Sequence, residues 1–184
     1  HALDTSLGYF INPLLNVLFG VALLGERLSR LQWAAVALAA AGVAVQTIAL
    51  GYLPWISLTL ALSFGLYGLF RKQAAVDGLS GLFVETLLLA PLALGWLATR
   101  PYGLADLPPA QLAVLAASGV VTATPLLLFG RAARVLPLST LGLLQYLSPT
   151  LVMIEAVTLF GETLSPARLA AFACIWAGLA LYTW

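Results

Sequence analysis

The side chains best able to bind or react with another molecule are polar residues set inside two long apolar runs. They are Tyr9, Asn12, Asn16, Gln145, Ser148 and Glu155. The first three recur at i, i+3 and i+7, and the last three at i, i+3 and i+10, so each set lies on one face of a helix. Amide and hydroxyl groups in this arrangement predict a cavity that holds a polar solute through hydrogen bonds. The alternative is that they only bond the helices to one another.

Two carboxylates, Glu155 and Glu85, also lie inside apolar runs. A charge deep in a bilayer costs roughly 2.5–3.5 kcal/mol on insertion scales, so it normally faces water or a partner. We expect Glu155 either to face the cavity and carry a coupling proton, or to be neutral or paired within the fold. Glu85 lies nearer the end of its run, where it either pairs with Arg71 or Lys72 or takes part in proton coupling. Tyr67 is a weaker candidate for the cavity wall.

Pro13 and Pro149 interrupt the two runs that carry the polar faces. A proline inside a helix has no N–H group and leaves the carbonyl four residues earlier without its helical partner. The carbonyls concerned are those of Tyr9 and Gln145, which belong to the polar faces. Each proline therefore predicts a kink, either one that serves substrate contact and gating or a plain kink whose carbonyl a neighbouring helix satisfies.

These two runs are copies of one another. Leu7 to Ser29 returns 136 positions later as Leu143 to Ser165. Both copies have a proline in the apolar run, Gly-Glu twelve residues after it, and Leu-Ser shortly after that. The polar faces coincide in this alignment, so the two helices are expected to present polar groups at equivalent depths. An internal repeat of this kind is a strong constraint on the fold.

Composition places these runs in a membrane. The chain is 62% hydrophobic and 8% charged, whereas a soluble domain has roughly 25% charged residues. Runs of about 20 apolar residues predict transmembrane helices, because lipid offers no partner to an unpaired backbone group. Seven such spans are predicted: 6–24, 31–50, 54–70, 79–98, 111–129, 138–160 and 166–184.

The spacing of the repeat contains five spans, an odd number, so the two copies cross the membrane in opposite directions. Such an inverted repeat is typical of secondary transporters. We therefore predict an all-α integral membrane protein of ten helices in two inverted repeats of five. Residues 1–50 supply the last two helices of the first repeat, and residues 51–184 form the complete second repeat. Since the chain begins at His1 and not at Met, we expect three further helices before it.

Basic residues are unequally divided between the two sides of the predicted bundle. One side has six, Arg27, Arg30, Arg71, Lys72, Arg131 and Arg134, and the other has Arg100 and Arg168. By the positive-inside rule the side with six is cytoplasmic, and so is the carboxyl terminus at Trp184. Glu26 and Glu162 are expected at the membrane interface, where each orders its own turn beside nearby arginines.

Small residues recur along the second and seventh spans. Ala170, Cys174 and Gly178 are spaced by four in the seventh span, and Ala37 and Ala41 are spaced by four in the second. Small residues at this spacing let helices approach closely in lipid. The interface lies either within one bundle or between two chains, which would form a homodimer.

Several functions are excluded by residues that the sequence lacks. The one histidine is His1, the one cysteine (Cys174) lies in an apolar run, and neither HExxH nor paired aspartates occur. We therefore predict that the protein is not an enzyme and has no metal site and no cofactor. A net charge of +1 without a basic patch predicts no nucleic-acid partner. Two functions stay open: a transporter of a small organic solute in the lipid bilayer, and a non-transporting membrane scaffold or assembly subunit.

Five segments resemble RarD-type proteins, a branch of the EamA proteins in the drug/metabolite transporter superfamily. They are SLGYFINPL, GERLSRLQW, FGLYGLFRK, ETLLLAPLAL and STLGLLQYLSPT. The resemblance extends over the whole chain. It implies a ten-helix permease of the bacterial inner membrane, with both termini cytoplasmic and a central substrate cavity. It implies no particular substrate, direction of transport, coupling ion or oligomeric state.

Overall fold

The chain folds into α-helices. A computed structural model describes residues 2–52, 54–99, 103, 107–161 and 163–183, and every regular element in these ranges is an α-helix. In chain order they are α1 (Ala2–Leu24), α2 (Arg30–Leu50), α3 (Trp55–Gln73), α4 (Gly78–Ala98), α5 (Pro109–Val135), α6 (Leu138–Leu144), α7 (Leu147–Thr158) and α8 (Pro166–Tyr182). The seven predicted spans are confirmed as helical, although the sixth is divided in two.

Several helices present apolar surface to their surroundings. Four segments are long and apolar enough to cross a membrane: Arg30–Ala49, Gly78–Ala98, Pro109–Val135 and Leu138–Thr158. Two shorter apolar segments are Tyr9–Leu24 and Pro166–Tyr182. On α4 the side chains of Leu88 and Leu92 are 70% and 71% exposed, which suits a surface that faces lipid. These helices make the chain a multi-pass membrane protein.

The sixth predicted span is broken at Gln145 and Tyr146, between α6 and α7. Pro149 has no N–H group to donate to the Gln145 carbonyl, so one helical hydrogen bond is missing at this point. The Gln145 carbonyl instead accepts a hydrogen bond from the Ser148 N–H group (3.1 Å). The expectation of an unpaired carbonyl at Gln145 is therefore wrong, and the helix breaks there rather than kinking. Pro13, by contrast, lies inside the continuous helix α1.

The helices form two compact units. The first contains His1–Phe70 and Leu136–Trp184, and the second contains Arg71–Val135. In the first unit an edge-to-face contact between Phe10 and Phe172, with ring centres 5.3 Å apart, joins α1 to α8 in the apolar core. In the second unit α4 packs against α5. The predicted boundary between the two sequence repeats, between residues 50 and 51, is a different division of the chain. It stays a prediction.

In the first unit α2 and α8 form a close antiparallel pair. A Cβ built on Gly42 would lie 2.7 Å from the Ala171 carbonyl oxygen, and one built on Gly178 would lie 2.7 Å from the Ala35 carbonyl oxygen. The two contacts are equivalent in the repeat, since 136 positions separate Gly42 from Gly178 and Ala35 from Ala171. The interface of small residues therefore lies within one chain. It does not require a homodimer, which stays a prediction.

The prediction of which residues form this interface is partly wrong. Ala37, Ala41 and Ala170 are exposed. The buried alanines of α2 are Ala35 and Ala39, at 0% and 1% exposure. Alanines occupy more than one face of α2, so a spacing of four residues does not by itself identify the packed face.

The glycines and serines of the repeat end one helix and begin the next. Gly25 and Gly161 have φ angles of 67° and 64°, in the left-handed region that favours glycine. At the start of α2, Ser29 Oγ accepts a hydrogen bond from the Gln32 N–H group (3.2 Å), and Gln32 Oε1 accepts one from the Ser29 N–H group (2.9 Å). Ser165 caps α8 in the same way through its own Oγ.

Candidate functional site

Three amide side chains meet where α1 passes the end of α6. The Nδ2 atoms of Asn12 and Asn16 each donate a hydrogen bond to Gln145 Oε1, at 3.0 Å and 2.7 Å. Asn12 and Asn16 are four residues apart on α1, so both reach the same acceptor from one helix face. We call these three residues the amide triad. The triad joins the polar faces that were predicted separately in the two copies of the repeat.

The triad contains acceptor atoms that lack a donor. Asn16 is 0% exposed. The Oδ1 atoms of Asn12 and Asn16 are buried and have no hydrogen-bond partner among the described residues. A buried polar atom in this condition costs about 1–3 kcal/mol. A solute that brings an N–H or O–H group to these oxygens would recover that free energy, so the triad is chemically suited to bind a hydrogen-bond donor.

The backbones of α1 and α6 lie in close contact around the triad. A Cβ built on Gly142 would lie 2.6 Å from the Pro13 carbonyl oxygen and 2.8 Å from the Asn16 Cβ atom, so only glycine fits there. The fully buried Tyr146 donates a hydrogen bond from its hydroxyl to the Phe10 carbonyl oxygen (3.0 Å). The order of these contacts along the chain shows that α1 and α6 are antiparallel.

The other predicted cavity residues are not part of the triad. Tyr9, Ser148 and Glu155 are exposed, and no side-chain hydrogen bond joins them to the triad in the part of the chain that the structure describes. Tyr67 is half-buried on α3. A cavity role for these four residues stays a prediction, and so does proton coupling at Glu155.

Glu85 pairs with Arg71, one of the two partners expected for it. Glu85 Oε1 lies 3.6 Å from Arg71 Nη1. Arg71 is 5% exposed, and its Nη2 donates a hydrogen bond to the Gly78 carbonyl oxygen (2.9 Å). A Cβ on Gly81 would collide with the guanidinium, and one on Gly130 would lie 3.5 Å from it. We call Gly78, Gly81 and Gly130 the glycine cradle. Proton coupling at Glu85 stays a prediction.

Glu26 makes a contact that the sequence did not indicate. Its Oε1 accepts a hydrogen bond from the Leu138 N–H group (2.5 Å). Its Oε2 accepts two more, from the Ser139 N–H group (2.9 Å) and the Ser139 hydroxyl (2.6 Å). The carboxylate thus caps the first turn of α6, 112 residues further along the chain. The expectation that Glu26 orders its own turn beside Arg27 and Arg30 did not include this contact and stays a prediction.

Two sequence features could have pointed to this contact. Pro137 precedes α6 and its side chain makes no cap, so the first N–H groups of α6 need an acceptor from elsewhere. Gly20 provides the space, because a Cβ there would lie 2.5 Å from Glu26 Oε2. Glu162, the equivalent carboxylate of the second copy, lies outside the described residues.

The described residues include no group of three or more His, Cys, Asp and Glu side chains that could hold a metal ion. Cys174 carries a free thiol and is half-buried. Arg100 and Trp184, which the predicted orientation uses, lie outside the residues that the structure describes. The chemistry offered by the site is therefore hydrogen bonding by the amide triad.

Comparison with known proteins identifies the family. The EamA-like transporter family matches residues 52–184, which is more than half of the chain. The chain belongs to the EamA-like transporter family. Within EamA it is of the RarD type, being 48% identical to Protein RarD of Salmonella typhimurium and 45% identical to Protein RarD of Escherichia coli K12, in both cases over 99% of the chain. It is also 56% identical, over 100% of the chain, to the Uncharacterized transporter PA0485 of Pseudomonas aeruginosa.

The matches with these relatives cover more of the chain than of the relatives themselves. The chain spans 63% of the length of each of these three proteins. No solved structure gives a significant match. Membership of EamA and the apolar helices together make the chain a multi-pass protein of the bacterial inner membrane, in a family of membrane transporters.

Proposed function

We propose that this EamA protein is a secondary transporter, a permease or exporter that moves a small organic metabolite or drug across the inner membrane by alternating access. The observation that carries the proposal is the convergence of three amides from two helices, with the Asn12 and Asn16 Oδ1 atoms buried and lacking a donor. Each such atom costs about 1–3 kcal/mol where nothing offers it a donor, and here two of them lie beside one another on α1. A site that opens alternately to each side of the membrane can bind a solute whose N–H or O–H group donates a hydrogen bond to these oxygens.

We further propose a whole protein of ten helices in two inverted repeats, with residues 1–50 in the first and 51–184 as the second. The equivalent contacts of Gly42 with Ala171 and of Gly178 with Ala35 support this arrangement. A two-fold axis in the membrane plane relates inverted repeats and generates paired contacts of this kind. The excess of basic residues near the carboxyl ends of α1, α3 and α5 supports a cytoplasmic carboxyl terminus.

The direct test is transport by the native full-length protein in proteoliposomes. A panel of metabolites and drugs is offered in both directions, with and without a proton gradient. Asn16→Leu and Gln145→Leu should each lower the rate for a transported solute by tenfold or more, since about 1.4 kcal/mol of binding corresponds to tenfold. Gln111→Leu is the control, because Gln111 is an exposed amide of α5 outside the triad. Parent rates in both triad variants would refute the proposed site.

Proton coupling is a separate part of the proposal, with Glu155 as the residue that carries the proton and Glu85 as the second candidate. Glu155→Gln cannot ionise and should remove the effect of the proton gradient on the rate. Full-rate transport by Glu155→Gln that still responds to the gradient would assign the coupling elsewhere. If the parent protein itself transports at full rate whatever the pH, transport is not coupled to protons.

The second candidate function is a non-transporting scaffold or assembly subunit. It predicts that the surface around the triad is sealed from water. Cysteines at positions 12 and 148 separate the two functions, since a water-soluble thiol reagent should label them in a transporter and leave them unlabelled in a scaffold.

A further inference from the structure

α6 begins without a cap of its own. Pro137 precedes it and makes no side-chain cap, so the Leu138 and Ser139 N–H groups need an acceptor from another segment. Glu26 provides one through both oxygens of its carboxylate. Hydrogen bonds to a charged group are about twice as strong as neutral ones. This end of α6 is therefore held firmly to the turn that follows α1.

The other end of α6 is a break in the helix. α6 ends at Leu144 and α7 begins at Leu147, because Pro149 cannot continue the ladder of helical hydrogen bonds. Two helical segments joined at such a break change their relative angle by rotation about a few backbone dihedrals. α6 thus has a hinge at one end and the Glu26 contact at the other.

Between these ends α6 covers the amide triad. Gly142 brings α6 into contact with Pro13 and Asn16 on α1, and Asn16 is 0% exposed as a result. In this closed state the Asn12 and Asn16 Oδ1 atoms have no hydrogen-bond partner in the described ranges. The two unpartnered oxygens oppose closure, and the Glu26 contact favours it. Opposed contributions of this kind bring two states closer in free energy.

We propose that α6 is a gate over the amide triad and that Glu26 is the latch that holds the gate closed. Release of the carboxylate lets α6 rotate about the break at Gln145 and Tyr146. Asn16 then opens to water on the side of the membrane where the turn containing Arg27 lies. Glu26 is a positioning residue, since it acts through α6 and does not touch solute. The proposal rests on the proposed transport function, to which it adds the segment that moves.

The test measures how fast water-borne reagent reaches position 16, and it needs no known solute. Asn16→Cys is introduced into the native full-length protein after its own cysteines, including Cys174, are changed to alanine. The protein is reconstituted in vesicles of phosphatidylethanolamine and phosphatidylglycerol, and a charged methanethiosulfonate reagent is added to each side in turn. Glu26→Gln and Glu26→Ala should each raise the labelling rate from the Arg27 side by about tenfold or more, because charge-assisted hydrogen bonds are lost.

Gly20→Ala is an independent variant that keeps the carboxylate. Its added Cβ would lie 2.5 Å from Glu26 Oε2 and would displace the latch, so labelling should rise as in the Glu26 variants. Gly119→Ala is the matched control, because nothing lies within 4 Å of a Cβ at that position, and its labelling rate should not change. Parent rates in the Glu26 and Gly20 variants, or loss of the folded state in both, would show that the carboxylate is only a structural cap and would overturn the proposal.

The labelling result is independent of the transport result. Faster labelling in Glu26→Gln, in a protein that transports no solute of the panel, would keep the gate and count against the transporter function. Transport by the parent protein, with unchanged labelling in Glu26→Gln, would keep the transporter and refute the latch.

Discussion

The paired contact of α2 with α8 predicts how the protein responds when either of its glycines is enlarged. Gly42→Ala places a Cβ 2.7 Å from the Ala171 carbonyl oxygen, and Gly178→Ala places one 2.7 Å from the Ala35 carbonyl oxygen. Carbon and oxygen approach each other to about 3.3 Å in such contacts, so each methyl group must separate the two backbones by roughly 0.6 Å. The obstacle is backbone in both cases and cannot rotate out of the way.

The free energy of this separation can be estimated. Overpacking of a well-packed interior costs about 1–3 kcal/mol. Alanine is also better than glycine in a helix by about 1 kcal/mol, so each single change should lower the free energy of unfolding by about 0–2 kcal/mol. Gly95→Ala and Gly119→Ala are the controls, because a Cβ at either position meets nothing within 4 Å. These controls should leave the protein as stable as the parent or up to about 1 kcal/mol more stable.

The two glycines should also be energetically coupled. One separation of α2 from α8 relieves both collisions, so the double variant should lose less stability than the sum of the single losses. A double-mutant cycle should give a coupling free energy of about 0.5 kcal/mol or more.

The assay is reversible unfolding of the purified native protein in mixed micelles at increasing fractions of SDS, followed by tryptophan fluorescence. The single variants at positions 42 and 178 should agree within about 1 kcal/mol, because both insert one methyl group against a carbonyl oxygen. A larger difference between them, strict additivity in the double variant, or an equal loss in Gly119→Ala would refute this reasoning.

Single contacts elsewhere in the chain give three further predictions. Tyr146→Phe removes the hydrogen bond to the Phe10 carbonyl and should cost about 0.5–1.5 kcal/mol in the same unfolding assay, and an unchanged midpoint would contradict this. Ser29→Ala removes the cap of α2 and should cost about 1 kcal/mol, seen as a lower Tm. Hydrogen bonds from the Ser80 hydroxyl and N–H groups hold the pKa of Asp77 below its ordinary value of 3.8. The stability that Asp77 contributes is therefore present above pH 3.8 and is lost as the pH falls through the lowered pKa. Asp77→Asn should remove this loss from a plot of Tm against pH, and an identical acid limb in the variant would contradict the assignment.

The helices and the residues of the amide triad can be predicted from sequence, because a membrane limits which residues a spanning helix contains. A helix that crosses lipid needs about 20 apolar residues, so its limits stand out from the charged turns. Within such a run an amide is costly and therefore conspicuous, and Asn12, Asn16 and Gln145 each interrupt an apolar run. The alignment of the two copies then places the polar faces at comparable depths, and the structure brings these three side chains together.

Contacts between distant segments are not predictable in the same way. The sequence beside Glu26 favours a local partner, whereas its carboxylate reaches an N-terminus 112 residues away. The break at Gln145 depends on the Ser148 N–H group taking the carbonyl, which periodicity does not register. Ala37 and Ala41 have the spacing of an interface but lie on an exposed face. For Glu26 and for the two alanines the deciding factor is which helix lies opposite, and no local pattern specifies it.

The glycine cradle around Arg71 is completed late in synthesis. Arg71 precedes all three glycines in the chain, and Gly130 is the last of them to be made. Until Gly130 is made, the cradle is incomplete and cannot enclose the guanidinium as it does in the finished protein. It is enclosed only after α4 and α5 have been inserted and have packed together. The burial of this side chain, which is 5% exposed in the folded protein, thus depends on a glycine made 59 positions after it.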